Sequence, residues 1–477
     1  MGTGPSCRID GSAQMPNENS FTAVCSEDFD RLWPQESNRL TAYSRASTHR
    51  PSRARRLAAT KSSASTSGVD IMKALEAFCQ LIPPSVDARK ATREAHFSRK
   101  LHEYCSLRVS YWFMPPPPAT LSSLMNQFRE SKRIMWIMYL TATILQSLYQ
   151  SPQNHGPLAS GYIDWIDRLE QNITTGSPDN PPTNDTGDCL MAQLELAFLK
   201  FALVDNVSGY TTFQRALPRF LQTVASDSNS LMEDANGNLV VSFCRTINGP
   251  RNELRRFVLY DTVIALLLGV PTLAEYGYNR GCDSEAYGFE WNYGAPATLL
   301  QIISQVNSWR ARSSVALDDW QTLEKRVLDW GPSTALLDGT STTGHANLNV
   351  ARAAVQEGWR HLALIYIYMG MCGVSSHDPR VQSSVDQIFE LAESVANLRI
   401  GTQIFAHCVV VGVVARLEKH RIAVYEKLRS FRHTRVWIFD GLQFSEVLYH
   451  LWHGVGLGGA PVTWEDYAQS RRVVIPI

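Results

Sequence analysis

Residues 357–382 read EGWRHLALIYIYMGMCGVSSHDPRVQ and hold Trp359, Arg360, His361, Tyr366, Cys372, His377, Asp378, Pro379 and Arg380 around a long apolar block. A membrane span, a cysteine–histidine reaction centre, a metal site and the core of a large helical protein all compete for this stretch. Upstream, Arg352, Gln356 and Arg360 recur every four residues, and Glu357 stands four before His361. That spacing predicts a solvated stripe opposite Val355, Trp359 and Leu362. The uncharged run from Leu362 to Val374 is too short for the ~20 residues that cross a bilayer, so it is a buried helix end. Gly373 supplies the stop. Asp378-Pro379 starts the next helix, with Asp as N-cap and Pro in the first turn, where its missing N–H costs nothing. That helix is expected to bury Val381, Val385, Ile388, Ala392 and Val395, and to expose Ser384, Gln387, Glu390 and Ser394. The stretch is therefore a helical hairpin, with Trp359, Leu362, Ile365, Tyr366 and Met369 at its core. Cys372 lies in apolar surroundings that raise a thiol pKa and disfavour a nucleophile. His377 belongs to the turn.

The chain around this hairpin has 477 residues, 44% of them apolar, with 45 basic and 45 acidic side chains. It can bury a large core, and its charge balance disfavours a generally basic nucleic-acid binder. Nine scattered cysteines without a C-x2-C pair suit a reduced compartment, where cysteine fills apolar space. No apolar core follows a basic start at the N-terminus, so no secretory signal is expected.

Residues 1–68 contain twelve serines and no periodic apolar face, which predicts a disordered segment. Between Ser37 and Val69 there are seven Lys or Arg and no acid. Arg50, Arg53, Arg55 and Arg56 lie in RASTHRPSRARR (45–56), which reads as a solvated basic linker, a phosphate-binding arm or a nuclear import signal. From residue 69 to 477 the pattern is helical, without a fixed repeat. DIMKALEAFCQLI (70–82), KRIMWIMYLTATILQSLYQ (132–150) and GYIDWIDRLEQNI (161–173) are helices, and PDNPPTND (178–185) is a loop. Asn236-Gly237 in DANGNLVVSF (234–243) signals a hairpin turn rather than a calcium loop, because the glycine stands fourth and no closing acid follows. IFAHCVVVGVVA (404–415) is ambiguous between buried strand and helix.

WRHLALIYIYMGMCGVSSHDPRVQ resembles the signature helix pair of the fungal-specific transcription factor domain, the regulatory helical region of fungal binuclear zinc-cluster regulators. MAQLELAFLKFALVDNVSGY (191–210) resembles its early helices. LRRFVLYDTVIALLLGVPTL (254–273), with Arg256, Tyr260 and Asp261, resembles its middle helix, and LWHGVGLGGAPVTWEDYAQSRRVVIPI (451–477) its end. The four matches keep the family's order over residues 70–477. The resemblance implies an all-α fold, a large irregular multi-helix domain built from helical hairpins over 69–477, and it tips 404–415 towards helix. It also implies a regulator acting in the nucleus through transcriptional co-regulators or a small-molecule effector, with homo- or heterodimerisation and no membrane partner. The full-length regulators grip DNA through six cysteines that bind two zinc ions. Residues 1–68 hold only Cys7 and Cys25, too few for tetrahedral zinc. No cofactor is then expected in this chain, and zinc only if a missing N-terminal cluster exists. Specific DNA binding by this chain alone is not expected. The alternative is a stand-alone helical interaction protein that dimerises with, or inhibits, full-length relatives.

Enzyme readings fare worse. DDWQTLEKR (318–326) has Thr322 in register for the magnesium-diphosphate motif of a terpene synthase, but Arg326 stands where the motif needs Glu, and no facing acid cluster exists. His450 and His453 have a metal-compatible spacing without a third ligand, so a partly buried pair is expected. GVGLGG (454–459) follows a helix rather than a strand and fails the dinucleotide context.

Overall fold

The apolar period of the sequence folds as helices that end where a cap or breaker stands. The computed structural model describes residues 131–150, 155–175, 183–278 except 235, 290–332, 343–431 except 397, then 439 and 441–477, with a few single positions upstream that include Phe113. The expected boundary at residue 68, Arg50, Arg53, Arg55 and Arg56, and the helix expected at 70–82 lie outside the described residues.

Among the described residues three long helices come first, α1 (Lys132–Gln150), α2 (His155–Thr175) and α3 (Thr183–Leu203), followed by the short α4 (Asn206–Gln214) and α5 (Leu217–Ala225). Helix α3 begins inside the stretch the sequence assigns to a loop, immediately after Pro181-Pro182, a suitable helix entry. Strands β1 (Leu231–Glu233) and β2 (Leu239–Ser242) form the expected hairpin, with Leu231 opposite Val241. Its turn is built by Asp234, whose carboxylate accepts from the backbone N–H of Asn236 and Asn238, and by Gly237 at φ 80°. Next come α6 (Phe243–Asn248), α7 (Asn252–Leu268), β3 (Tyr276–Gly277), α8 (Glu290–Tyr293), α9 (Ala297–Arg310) and α10 (Trp320–Asp329). Strand β3 pairs parallel with β2 and completes a three-stranded sheet. The sheet is a small insertion in an all-α architecture. The chain ends with α11 (Thr343–Gly370), α12 (Pro379–Val395), α13 (Phe405–Val414), α14 (Glu418–Ser430), α15 (Gly441–His453) and α16 (Trp464–Val474).

Helices α11 and α12 form the expected hairpin. Trp359, Leu362, Ile365, Tyr366 and Met369 are all buried, and Trp359 is the bulkiest fully buried side chain among the described residues. Gly373 takes φ 67° just beyond α11, and the Asp378 carboxylate accepts from the Arg380 N–H at 2.9 Å. One expectation fails. Gln356 and Ser384, placed on solvated faces by the period, are buried. Helix α11 packs against α9, α10, α12 and α13, so an amphipathic stripe is covered on both sides. His377 lies in the turn, as expected, and its Nε2–H also donates to the Gly459 carbonyl at 2.9 Å. Helix α13, the ambiguous segment, is helical and buried along its whole length. A buried strand would need ladder partners on both edges, whereas a helix satisfies its own backbone. Cys189, Cys372 and Cys408 are free thiols, but Cys244 is disulfide-bonded, a departure from the expected reduced set.

Helix α7 is the centre of the packing. All of its residues but Arg255 are buried, and it touches α3, α5, α6, α9 and α13. Phe257 stacks on Phe220 of α5 at 3.9 Å and on Phe213 of α4 at 4.8 Å. Asp261, also buried, accepts from the N–H groups of Leu273 (2.8 Å) and Ala274 (3.2 Å) and from the Tyr276 hydroxyl (2.8 Å). One carboxylate thus folds the segment after α7 back onto it and seats β3. Burial outweighs these three donors and raises the Asp261 pKa to about 6.

Two predictions follow from this packing. Trp359→Ala should lose about 3–5 kcal/mol, while Cys372→Ala, a half-buried filler, and His377→Ala, losing one hydrogen bond, should each lose about 1 kcal/mol. Thermal unfolding and limited proteolysis of the three variants side by side measure this. A stable Trp359→Ala protein beside a folded Cys372→Ala protein that has lost function would revive the reaction-centre reading. For Asp261, the folded state keeps its proton up to about pH 6, whereas an unfolded aspartate releases it near about pH 3.9. The folded state binds more protons across that window, so stability falls as pH rises through it and is flat above. Asp261→Asn cannot ionise. Denaturant titrations should show wild type losing on the order of 3 kcal/mol relative to the variant between about pH 4 and 6. Parallel pH curves for the two proteins would refute this account.

Candidate functional site

The signature residues do not converge on one pocket. They fall in three places along the packed helices. In the first, the Arg256 guanidinium meets Glu195 of α3 at 2.6 Å, donates to Tyr260 Oη at 2.9 Å, and lies over the Tyr260 ring. Tyr260 Oη is 3.0 Å from Tyr293 Oη of α8. Arg256 and Glu195 are both buried, so this is an internal ion pair whose hydrogen bonds fix the register of α3, α7 and α8.

The second place is α11. Tyr366 donates to Asn307 Oδ1 of α9 at 2.6 Å, and Asn307 Nδ2 donates to the Thr262 carbonyl of α7 at 3.0 Å. Arg360 pairs with Glu357 at 2.6 Å, and the buried His361 Nε2 stands 3.5 Å from the same carboxylate. His361 first, then Arg360, hold Glu357 below the usual carboxylate pKa. The third place is the hairpin turn. Asp378 accepts from both the backbone and the guanidinium of Arg380, which lies 4.5 Å over the Tyr368 ring. Tyr368 in turn donates to Glu324 of α10. Pro379 sits at the first helical position of α12. The turn is stitched to the C-terminal segment by His377 to Gly459 and by Ser376 with Val462 in both directions.

A cavity lies behind this hairpin, among α11, α12, α13 and α14. It has a volume of about 40 Å³ and is lined by Gly358, Ile388, Ala392, His407, Cys408 and Val411, among others. Phe389 stacks on His420 at 4.1 Å beside it. At its floor α13 approaches α11 closely: a Cβ at Gly358 would lie 2.7 Å from His407 Cδ2. The His407 ring meets Trp359 edge-on at 4.9 Å. The His407 ring nitrogens face the Val355 and Ile404 carbonyls without full hydrogen-bond geometry, and burial lowers the pKa to about 3. Burial likewise pushes the Cys408 thiol up to about 12. At neutral pH the slot therefore offers a neutral imidazole and an un-ionised thiol. It can take an apolar group, but supplies neither a nucleophile nor a charged acid. Its volume is well under the ~300–1,000 Å³ of small-molecule sites. Sequence reading missed this slot. The one trace of it is Gly358, a glycine inside a helical pattern.

The rival motifs serve the fold. Asp319 caps α10 by accepting from the Thr322 N–H, and Asp318 pairs with Arg326 at 2.7 Å and accepts from Gln305. His450 and His453, expected to be partly buried, are exposed at the end of α15, where side chains on the outer helix face lose their cover. Among the described residues no group of three or more His, Cys, Asp or Glu could hold a metal ion, and no helix is long and apolar enough to cross a membrane.

Residues 238–474 match the family model described as a fungal specific transcription factor domain. The match begins downstream of residue 70, where the resemblance read from the sequence starts, and includes Arg256, Tyr260, Asp261 and the whole α11–α12 hairpin. No curated protein and no solved structure matches the chain. Over residues 238–474 the chain belongs to the fungal specific transcription factor domain family.

Proposed function

We propose that this protein is a nuclear regulator of transcription whose helical domain transmits a regulatory input rather than catalysing a reaction. The observation that carries this reading is the family match over residues 238–474, which covers the central helix α7 and the signature hairpin. The state of the side chains there is consistent with it. Cys372 and Cys408 have raised pKa values and His407 a lowered one, all through burial, which is the reverse of what activated nucleophiles and bases need. The input is a co-regulator or a small-molecule effector, and the domain acts as a homo- or heterodimer. Residues 1–68 hold only Cys7 and Cys25, so sequence-specific DNA contact is assigned to a module other than this chain, and the chain itself needs no cofactor. That same observation favours a second reading, a helical interaction protein that pairs with and inhibits full-length relatives.

Tethering the full chain to an unrelated DNA-binding module upstream of a reporter separates the two. A regulator should change reporter output several-fold relative to the module alone. An unchanged reporter, with activity of a co-expressed full-length relative reduced, would replace the first reading by the second. Nuclear entry is assigned to Arg50, Arg53, Arg55 and Arg56. Residues 40–65 fused to a fluorescent reporter should concentrate it in the nucleus, and changing all four arginines to Ala should abolish that. A diffuse signal, the same with and without the arginines, would leave the segment as a linker.

A further inference from the structure

The connection between α9 and α10, residues 311–319, contains no helix or strand. Among the described residues it holds the one backbone with positive φ that does not belong to glycine. Arg312 takes φ 56°, the left-handed region that glycine enters without strain. It closes α9: its N–H donates to the Trp309 carbonyl and that of Ser313 to the Ser308 carbonyl, both at 3.0 Å. This turn sets the Ser313 hydroxyl towards solvent, where it donates to Glu275 Oε1 at 3.2 Å and accepts from the Val315 N–H at 3.3 Å. Glu275 is itself exposed, but its backbone belongs to the segment that Asp261 folds back onto α7. The Glu275 carbonyl accepts from the Val241 N–H of β2 at 3.2 Å, and its neighbours Ala274 and Tyr276 both donate to Asp261. One serine hydroxyl thus ties the α9–α10 connection to the segment that seats β3.

The residues leading to this hydroxyl are Arg310-Ala311-Arg312-Ser313. Protein kinases of the arginine-directed class take a serine or threonine three residues after an arginine, where the segment can be drawn out as an extended strand. Among the described residues Ser313, Ser383 and Thr402 have that spacing. Ser383 lies inside α12, and Thr402 lies inside a 3-10 helix, where its hydroxyl donates to the Arg399 carbonyl. Ser313 alone of the three stands in a connection. The Arg312 side chain is exposed, and Arg310 is held by Glu465 at 3.5 Å, a pair open to solvent on the carboxylate side and easily exchanged. We propose that Ser313 is a phosphorylation site, and that its phosphate detaches the α9–α10 connection from the segment bound to Asp261. The γ-phosphoryl group of MgATP passes to Ser313 Oγ: the new O–P bond forms as the bond to the β-phosphate breaks, ADP leaves, and the hydroxyl proton goes to the kinase's general base. The donor that met Glu275 is then gone, and about 1.5–2 negative charges stand beside that carboxylate in its place. This adds a covalent input to the regulatory function proposed above. Its test reads phosphate and backbone exchange on the purified chain, so it holds or fails whatever the tethered reporter does.

The folded full chain, incubated with MgATP and the catalytic subunit of cyclic-AMP-dependent protein kinase, supplies the test, with sites mapped by fragmentation mass spectrometry. Mapping keeps phosphate on the serines of residues 1–68 apart from phosphate on Ser313. Ser313 should be modified, and Ser313→Ala should lose that site and no other. Hydrogen exchange at neutral pH should then quicken over residues 273–277 by about two- to fivefold, the scale of an exposed charge contact. The increase should shrink at high salt, because both charges face water. Glu275→Gln separates repulsion from general loosening. With that change, phosphorylation should leave exchange over 273–277 nearly unaltered, since an amide can donate to the phosphate where a carboxylate repels it. A folded chain that takes no phosphate at Ser313 would overturn the proposal. So would a phosphorylated chain whose exchange over 273–277 is unchanged, or is raised equally with and without Glu275→Gln.

Discussion

The constraint on which the rest of the structure depends is the burial of α7 on every side. A helix buried at every residue but Arg255 draws on its neighbours for most of its polar side chains, because an unpaired buried polar group costs about 1–3 kcal/mol. Arg256 is met by Glu195, Tyr260 by Arg256 and Tyr293, and Asp261 by the segment 273–276. Even a backbone carbonyl is enlisted, since that of Thr262 accepts from Asn307, which also accepts from Tyr366. Each demand fixes the position of another element: α3, α8, β3, α9 and α11 in turn. Apolar packing such as Phe257 on Phe220 would tolerate a shift of a turn. These polar pairings would not. The buried polar groups act on register more than on net stability, the role best attested for buried ion pairs.

How legible this was in the sequence depends on whether the deciding interaction is local. The hairpin at 357–382 could be read because its signals are local: an Asp-Pro start, a glycine stop and an apolar period. The Asn-Gly turn of β1–β2 was readable for the same reason. Helix α13 was not, because ten buried, β-branched-rich residues look alike as strand or helix, and only the surrounding helices decide. Gln356 and Ser384 were misplaced because periodicity assumes one buried face, and α11 and α12 have more than one neighbour. Strand β3 is two residues long and is held beside β2 by backbone pairing and by the bond from Tyr276 to Asp261. No sequence period could announce it.

The candidate sites divide in the same way. Arg256, Tyr260 and Asp261 carry a visible resemblance, yet they are framework residues, and most of their partners lie outside their own helix. The slot beneath the hairpin left a single trace, Gly358, because a close approach between two helices is a property of the pair. The exposed apolar side chains around α14 and the turn after α15 left none. Leu417, Val455 and Leu457 sit at helix ends and turns, where no period separates inside from outside. Their exposure follows from where the helices stop.

The two features meet in the segment 454–462. On one side, the turn carries Val455 and Leu457 outward. On the other, Gly459 accepts from His377, and Val462 exchanges hydrogen bonds with Ser376 at the tip of the signature hairpin. Gly458 and Gly459 both adopt left-handed φ, 67° and 80°, which only glycine does without strain, so the path of this turn is narrowly set. Arg421 holds it from α14 through the Gly456 carbonyl while lying over the Trp452 ring, and Trp452 donates to Gly412 of α13 beside the slot. A contact that displaced the turn would have to break or lengthen the bonds to His377 and Ser376, and those bonds place the start of α12, one wall of the slot. The outer surface, the turn and the hairpin are thus parts of one hydrogen-bonded assembly. Such a contiguous network is one physical route by which an event on one face of the domain is felt on another.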